Sequence, residues 1–227
     1  MAKRILFIVS SASHIGPKNR PTGNLLTETA APFVIFKRQG YDVDIYSING
    51  GEAPLDGMEA YETELNQTFL NGEGLIKMKN TKPIDELTSV DMYDAVFTPG
   101  GLAPMVDMVD NKKFNDIHRT MWESGKVVSA VCHGPVCLLN VKLSDGSWLI
   151  KGKNITAYTN AEEETYAWAD VPFQLEDALR EHGCNFTSVA PLEPYSITDG
   201  RLVTGQNPAS ALGVGVRVVT ILESKKK

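Results

Sequence analysis

Short runs of consecutive apolar residues recur along the chain, and segments with helical spacing of apolar residues separate them. The runs 5–9, 43–46, 95–98, 127–131 and 155–158 have the length and composition of buried β-strands. Strands that are apolar on both faces are typical of a parallel sheet with helices packed on both sides. The pattern therefore predicts an α/β fold with a mostly parallel central sheet and helices on both faces.

The first segment between two strands, 25–38, carries apolar residues at helical spacing and predicts a crossover helix that ends near Gly40. From 58 to 83 this periodicity weakens and polar residues dominate, so we expect an inserted helical or loop excursion there. Linker-like and low-complexity segments are absent from the sequence. We therefore expect a single α/β domain over 1–227, decorated by an excursion at about 58–83.

Turn-forming residues predict the last two elements of the chain. The dipeptide Asp199-Gly200 tolerates the positive φ of a tight two-residue turn, which predicts a β-hairpin over 195–205. After it, Asn207 can cap and Pro208 can open a final helix that runs to about residue 222.

The charge balance and the length of the apolar runs exclude two classes of partner. The chain has 22 lysine and arginine residues against 28 aspartate and glutamate residues, a net charge of -6 that argues against nucleic acid. No apolar stretch approaches the roughly 18 residues of a membrane helix, and the first run is too short for a secretory signal. We expect a cytoplasmic protein that ends in a solvated lysine run, 225–227.

The cysteine pattern predicts reduced thiols. Cys132, Cys137 and Cys184 are odd in number and lack a paired CxxC spacing, so neither a disulfide framework nor a zinc site is indicated. We expect no metal and no cofactor. Cys137 and Cys184 fit the interpretation of small buried apolar residues, which leaves the reactivity of Cys132 as the question.

Cys132 is the candidate nucleophile. The strand predicted at 127–131 runs into the small-residue turn Cys132-His133-Gly134 and then into a predicted helix. A side chain on such a turn projects at the carboxyl end of the sheet, where open α/β folds bind ligands. A helix N-terminus lowers the pKa of a thiol, so we expect a reactive thiolate. A small buried residue without reactivity is the alternative interpretation.

Two features of the sequence indicate groups that could assist a reaction at Cys132: a general base and a pair of backbone donors. His133 is able to exchange protons at neutral pH; a lone histidine is more often structural, but one beside a candidate nucleophile favours a general base. Gly100 and Gly101 follow the strand predicted at 95–98, where their backbone N–H groups can turn toward a developing oxyanion. Such a glycine pair is by itself an ordinary tight turn.

These motifs carry a family resemblance. The segments 98–101 (TPGG) and 130–135 (AVCHGP) resemble the ThiJ/PfpI superfamily, whose flavodoxin-like fold is similar to that of class I glutamine amidotransferases. The segments 22–28, 159–164 and 195–210 are similar to its heat-shock chaperone and glutathione-independent glyoxalase branch. The resemblance runs nearly end to end and implies a homodimer.

The resemblance implies four residue roles. Cys132 matches the family nucleophile, and His133 matches its adjacent histidine. Glu28 matches the acid that hydrogen-bonds the cysteine sulfur, although the sequence alone would place it only at a polar position of the first helix. Glu163 matches the acid that orients the imidazole, as the third member of a triad does. The other two acids of the run 162–164 are expected to be a solvated helix start.

The resemblance also implies an activity. Methylglyoxal or a related 2-oxoaldehyde would be converted to a 2-hydroxy acid, D-lactate in the methylglyoxal case, without glutathione, metal or cofactor. The Cys132 thiolate would attack the aldehyde, and either Glu28 or His133 would carry a proton between the two substrate carbons. The same chemistry on protein adducts of these aldehydes would be a deglycase activity.

Two other functions stay open at this point. The first is a stress chaperone that holds unfolding clients, with Cys132 as a redox sensor; an exposed apolar patch far from Cys132 would favour it. The second is a cysteine peptidase or amidase, which the adjacency of Cys132 and His133 permits.

Overall fold

A central seven-stranded sheet organises the computed structural model, which describes residues 2–60 and 62–224. The expected lysine end, 225–227, lies outside the described residues. The strands of the sheet are β1 Arg4–Val9, β2 Asp42–Ser47, β3 Lys82–Pro83, β4 Ala95–Thr98, β5 Val127–Val131, β6 Ser196–Asp199 and β7 Leu202–Gly205.

The sheet is mostly parallel. Its spatial order is β6-β7-β5-β4-β1-β2-β3, and β6 is the strand that pairs antiparallel to its neighbour. This arrangement confirms the predicted α/β class, and four of the five predicted strands lie in the sheet. Because β1, β4 and β5 are neighbours, the residues that follow them meet at one edge.

The strand predicted at 155–158 is wrong as a member of the central sheet. Only Asn154–Ile155 is extended in a ladder, and it pairs with Asn185–Phe186. Beyond it, the backbone N–H of Thr156 bonds to the side-chain hydroxyl of Thr204 and that of Tyr158 to the Cys132 carbonyl, so neither joins a backbone ladder of the central sheet. Two further short ladders pair His14–Ile15 with Arg20–Pro21 and Asn24–Leu25 with Leu55–Asp56.

Eight α-helices are described. They are α1 Leu26–Arg38, α2 Glu64–Leu70, α3 Glu73–Lys79, α4 Pro104–Asp107, α5 Lys112–Glu123, α6 Asn160–Tyr166, α7 Leu175–Glu181 and α8 Ala211–Ser224. The first helix begins one residue after the predicted start and is followed by Gly40 at a φ of 75°, as its sequence suggested. Single 3-10 turns occupy Met58–Ala60, Ile84–Glu86, Gly134–Leu138 and Pro208–Ser210.

The segment predicted as an excursion, 58–83, contains α2, α3 and β3. Phe69 of α2 is fully buried and packs edge-on against Phe33 of α1, with 5.1 Å between the ring centroids. The segment is therefore anchored to the first helix by aromatic packing. That the whole chain is one decorated domain stays a prediction.

The C-terminal hairpin and helix form as predicted, with two corrections. Asp199 pairs with Leu202, so the two loop residues are Gly200 and Arg201 instead of Asp199 and Gly200. Asn207 forms a capping box with Ser210 around a 3-10 turn, and α8 begins only after that turn.

The core lies in two layers, one on each face of the sheet. Leu6 and Ile8 of β1 pack in the layer that contains α5, whereas Ile5, Phe7 and Val9 pack in the layer that contains α1 and α8. This alternation is the period of two expected for a strand covered on both sides. Among the described helices, none is long and apolar enough to cross a bilayer.

Candidate active site

Cys132 sits on a sharp turn directly after β5. Its φ is 62°, in the left-handed region that residues with a side chain rarely adopt. Gly134 permits the turn, because a Cβ there would lie 2.3 Å from the carbonyl oxygen of Thr98. The predicted helix after this turn is a 3-10 segment, Gly134–Leu138. The turn holds the Cys132 side chain at the edge where β1, β4 and β5 end.

Gly100 and Gly101 allow three segments to approach one another closely. A Cβ on Gly100 would lie 2.5 Å from Oε2 of Glu28 and 2.8 Å from Cβ of Cys132. Gly101 has a φ of 84°, and a Cβ there would lie 2.3 Å from the carbonyl oxygen of Gly23. The absence of side chains at both positions thus lets Glu28 and Cys132 face each other.

A chain of contacts links the thiol to a carboxylate through the imidazole. Sγ of Cys132 lies 3.4 Å from Nδ1 of His133, and Nε2 of His133 lies 2.6 Å from Oε2 of Glu163. The side chain of His133 is fully buried and that of Glu163 is 3 % exposed. Because the carboxylate accepts from Nε2–H, Nδ1 is directed at the sulfur, which is the order of a cysteine triad.

The run of three acids divides into three environments. Glu163 contacts His133, and Glu164 is exposed. The interpretation of Glu162 as part of a solvated helix start is wrong, because Glu162 is 2 % exposed. Its carboxylate accepts hydrogen bonds from Thr159, Leu192, Gln206 and Asn207. It therefore ties the start of α6 to the segments before and after the C-terminal hairpin.

Glu28 is a fully buried acid on the first turn of α1. Its Oε2 accepts the backbone N–H of Gly100 at 2.8 Å, and its carboxyl group interacts with the Cys132 thiol. Burial raises the pKa of Glu28 to about 8. Oε1 of Glu28 and Oε1 of Glu163 are buried and lack a hydrogen-bond partner within the described chain. A buried carboxylate oxygen without a protein partner is available to a ligand or to a water molecule.

The expected low pKa of the Cys132 thiol is wrong for this structure. The residue is 3 % exposed, and burial together with the neighbouring Glu28 raises the pKa of the thiol above its ordinary value. The backbone N–H groups of Gly101 and His133 act in the opposite direction. A single 3-10 turn contributes too little dipole to outweigh the loss of solvent. Glu28 and Cys132 are two acids in contact, and their mutual repulsion disfavours two negative charges.

The backbone N–H groups of the glycine pair face the two acids of the site. The N–H of Gly100 donates to Oε2 of Glu28 at 2.8 Å, and the N–H of Gly101 lowers the pKa of both Glu28 and Cys132. The backbone donors that lower the pKa of the thiol are those of Gly101 and His133, and the oxyanion role of Gly100 and Gly101 stays a prediction.

Sequence reasoning missed Tyr158. Its ring lies 4.6 Å from the His133 ring at an angle of 37°, and its backbone N–H donates to the Cys132 carbonyl at 2.9 Å. The apolar composition of residues 155–158 is that of an ordinary buried strand. One feature of the sequence could have identified Tyr158 as a site residue. It lies immediately before Thr159, which caps the helix that carries Glu163.

His118 and Thr98 lie behind the glycine turn. The buried His118 contacts the Thr98 hydroxyl through Nε2 at 3.2 Å and the Phe114 carbonyl through Nδ1 at 2.9 Å. Burial lowers the pKa of His118 to about 4, so its imidazole is neutral at physiological pH. This pair supports the end of β4 from the side opposite to Cys132. Across the described residues, no three His, Cys, Asp or Glu side chains are grouped to hold a metal ion.

Comparison with known proteins places this geometry in a family. The model of the DJ-1/PfpI family matches residues 23–220. The glutathione-independent glyoxalase HSP31 of Saccharomyces cerevisiae is 32 % identical, over 98 % of this chain and 99 % of the relative.

Solved structures agree with this assignment. The crystal structure of glyoxalase III from Candida albicans superposes with a TM-score of 0.85 at 26 % identity, covering 96 % of this chain and 97 % of the other. The structure of the 24 kDa rapid encystment protein of Francisella tularensis gives a TM-score of 0.91 at 32 % identity, covering 97 % and 99 %. The matched region contains β4, β5, α6 and the residues that surround Cys132. By its sequence and its fold, the chain belongs to the DJ-1/PfpI family.

Proposed function

We propose that this protein is a cysteine-dependent, glutathione-independent glyoxalase that converts a 2-oxoaldehyde and water into a 2-hydroxy acid. The observation that carries the proposal is the contact of one buried thiol, Cys132, with Glu28 on one side and His133 on the other. The full-length similarity to relatives named glyoxalases supports the same reaction.

The first step is addition of sulfur to the aldehyde. Glu28 and Cys132 compete for a proton, and in the form with a thiolate the carboxyl of Glu28 is protonated. The thiolate attacks C1 of the substrate, a C–S bond forms, and the carbonyl electron pair moves onto oxygen. The N–H groups of Gly101 and His133 stabilise that oxyanion. Glu28 then protonates it, which gives a hemithioacetal and leaves Glu28 as a carboxylate.

The second step moves a proton from C1 to C2. Both ring nitrogens of His133 are engaged, one by Cys132 and one by Glu163, whereas Oε1 of Glu28 has no hydrogen-bond partner in the described structure. We therefore assign the proton transfer to Glu28, whose pKa of about 8 suits an acid and base near neutral pH. The C1 hydroxyl proton passes to the C2 oxygen, so the intermediate becomes a thioester with a hydroxyl on C2.

The last step is hydrolysis. Once the sulfur carries the acyl group, Nδ1 of His133 accepts a proton from water, and the resulting hydroxide attacks the thioester carbon. The C–S bond breaks to release the 2-hydroxy acid, and the imidazolium proton returns to the Cys132 and Glu28 pair. Glu163 stabilises the imidazolium that forms in this step. The whole sequence is an internal redox exchange between two substrate carbons, and it consumes one water.

The test uses purified protein and methylglyoxal without glutathione. Loss of the aldehyde and formation of lactate, resolved into its enantiomers, are followed for wild type, Cys132→Ser, Glu28→Gln and His133→Ala. We expect D-lactate from wild type and none above background from the cysteine and glutamate variants. If wild type forms no lactate but suppresses aggregation of a heat-unfolded client, the glyoxalase proposal fails and the chaperone hypothesis replaces it.

The substrate class follows from the burial of the thiol. Cys132 is 3 % exposed, so a small 2-oxoaldehyde fits the site better than a folded protein surface. Activity on glycated proteins then proceeds through the free aldehyde released from the adduct. A deglycase assay that follows both species would give rates limited by adduct dissociation. A homodimer and a cytoplasmic location stay predictions from the sequence.

A further inference from the structure

Tyr158 is fixed against the turn that carries the thiol. Its backbone N–H bonds to the carbonyl of Cys132 at 2.9 Å, and its ring packs on the imidazole of His133 with 4.6 Å between centroids. The residue thus touches both members of the cysteine and histidine pair, and the mechanism above gives it no role.

The hydroxyl of Tyr158 is free to bind a ligand. The side chain is largely buried, at 7 % exposure, yet its hydroxyl makes no hydrogen bond to any atom of residues 2–60 and 62–224. It is also absent from the buried polar atoms that lack a partner, so the hydroxyl is the part that solvent reaches. A largely buried tyrosine normally pairs its hydroxyl with a protein group.

This hydroxyl is a donor at neutral pH. Burial, together with the neighbouring acidic groups of Cys132, Glu162 and Glu163, raises the pKa of Tyr158 above its ordinary value. The phenol therefore keeps its proton, and the oxygen that it binds best is one on which negative charge accumulates.

The Tyr158 ring has a second aromatic neighbour besides His133. Tyr166 packs edge-on against Tyr158 with 5.9 Å between ring centroids, and the guanidinium of Arg20 lies 4.7 Å from the Tyr166 ring centroid. Arg20 is bound in turn to Asp170 at 3.1 Å. A donor held in this way loses little freedom when it binds the transition state, which is the condition for electrostatic catalysis.

We infer that Tyr158 is a further catalytic residue, whose hydroxyl donates a hydrogen bond to the C2 oxygen of the 2-oxoaldehyde. This inference rests on the proposed glyoxalase function. When the C1 proton moves to Glu28, its electron pair forms a C1–C2 double bond and the C2 carbonyl pair moves onto oxygen. Gly101 and His133 hold the C1 oxygen, and Tyr158 stabilises the new charge on the C2 oxygen without giving up its proton.

The experiment compares Tyr158→Phe with wild type in the methylglyoxal assay. The substitution keeps the ring on His133 and removes only the hydroxyl. We expect kcat to fall by about 100- to 1,000-fold, as for loss of one oxyanion donor, with KM changed by less than about threefold. The rate at which iodoacetamide alkylates Cys132 is expected to stay within about twofold of wild type, because the thiol and its partners are untouched.

A matched control separates this role from a structural one. Tyr195→Phe also removes a tyrosine hydroxyl, one that bonds to Thr187 outside the site, and it is expected to retain wild-type kcat. The inference is overturned if Tyr158→Phe retains kcat, if only its KM rises, or if alkylation of Cys132 slows in parallel with turnover. Absence of lactate in the wild type would instead reject the proposed function itself.

Discussion

Nε2 of His133 and Oε2 of Glu163 lie 2.6 Å apart, and both side chains are almost completely excluded from solvent. A buried contact of this length fixes which nitrogen of the ring faces the acid and which faces Cys132. It also stabilises the imidazolium when His133 accepts a proton. Glu163 thereby acts on the chemistry through His133, so its removal is expected to change activity more than folding.

Glu163→Gln tests this relation. The glutamine oxygen can still accept from Nε2–H, so the ring orientation is kept while the negative charge is lost. We expect kcat for methylglyoxal to fall by about 100- to 10,000-fold, with a thermal midpoint within a few degrees of wild type. Glu164→Gln is the matched control, since Glu164 is exposed on the same helix. Equal activity of the two variants would remove Glu163 from the mechanism.

Glu162→Gln is expected to lower the stability of the fold more than the catalytic activity, the reverse of Glu163→Gln. Oε1 of Glu162 accepts from Leu192 and Asn207, and Oε2 accepts from Thr159 and Gln206. An amide replaces one acceptor with a donor that faces other donors, which costs about 2 to 3 kcal/mol of unfolding free energy. Urea denaturation measures this loss. A variant as stable as wild type but inactive would show that Glu162 acts in the chemistry instead.

The sequence predicted the sheet well because its strands are continuous apolar runs. Residues 127–131, for example, are buried on both faces, and such a run has few other stable environments. It could not place residues 155–158, because Tyr158 is also buried but bonds to the backbone of Cys132 instead of to a strand. Apolar composition predicts that a segment is buried, but it does not predict which group accepts the hydrogen bond of each backbone N–H.

Within the site, the sequence predicts the position of Cys132 correctly but not the pKa of its thiol. Cys132 lies on the expected turn, since the small residues after it leave few other conformations. Its thiol pKa was expected to be low from the local helix start, but burial and Glu28 outweigh that local effect. Glu28 is about a hundred residues away along the chain, and it meets Cys132 only because β1, β4 and β5 are neighbours.

Glu28→Gln is expected to flatten the pH dependence of stability. Burial raises the pKa of Glu28 from 4.5 to about 8, so between these values the folded state binds more protons than the unfolded state. Unfolding free energy therefore falls as the pH rises from 4.5 to 8, by at most about 5 kcal/mol. The amide cannot ionise, and the variant should gain stability relative to wild type as the pH is raised. Urea denaturation at pH 5 and pH 8 measures this difference. Parallel pH profiles of the two proteins would argue against a protonated Glu28.

His118 gives the chain a second pH dependence of the opposite sign. The pKa of this buried imidazole is lowered from 6.5 to about 4, so between these values the unfolded state binds more protons. Stability is therefore lost as the pH falls from 6.5 toward 4, by about 3 kcal/mol at the limit. In His118→Gln this loss should disappear, although the variant is less stable at pH 7 because the contacts to Thr98 and Phe114 change. Thermal unfolding at pH 7 and pH 5 measures both effects. If the variant and wild type lose the same free energy on acidification, another group is responsible for the acid sensitivity.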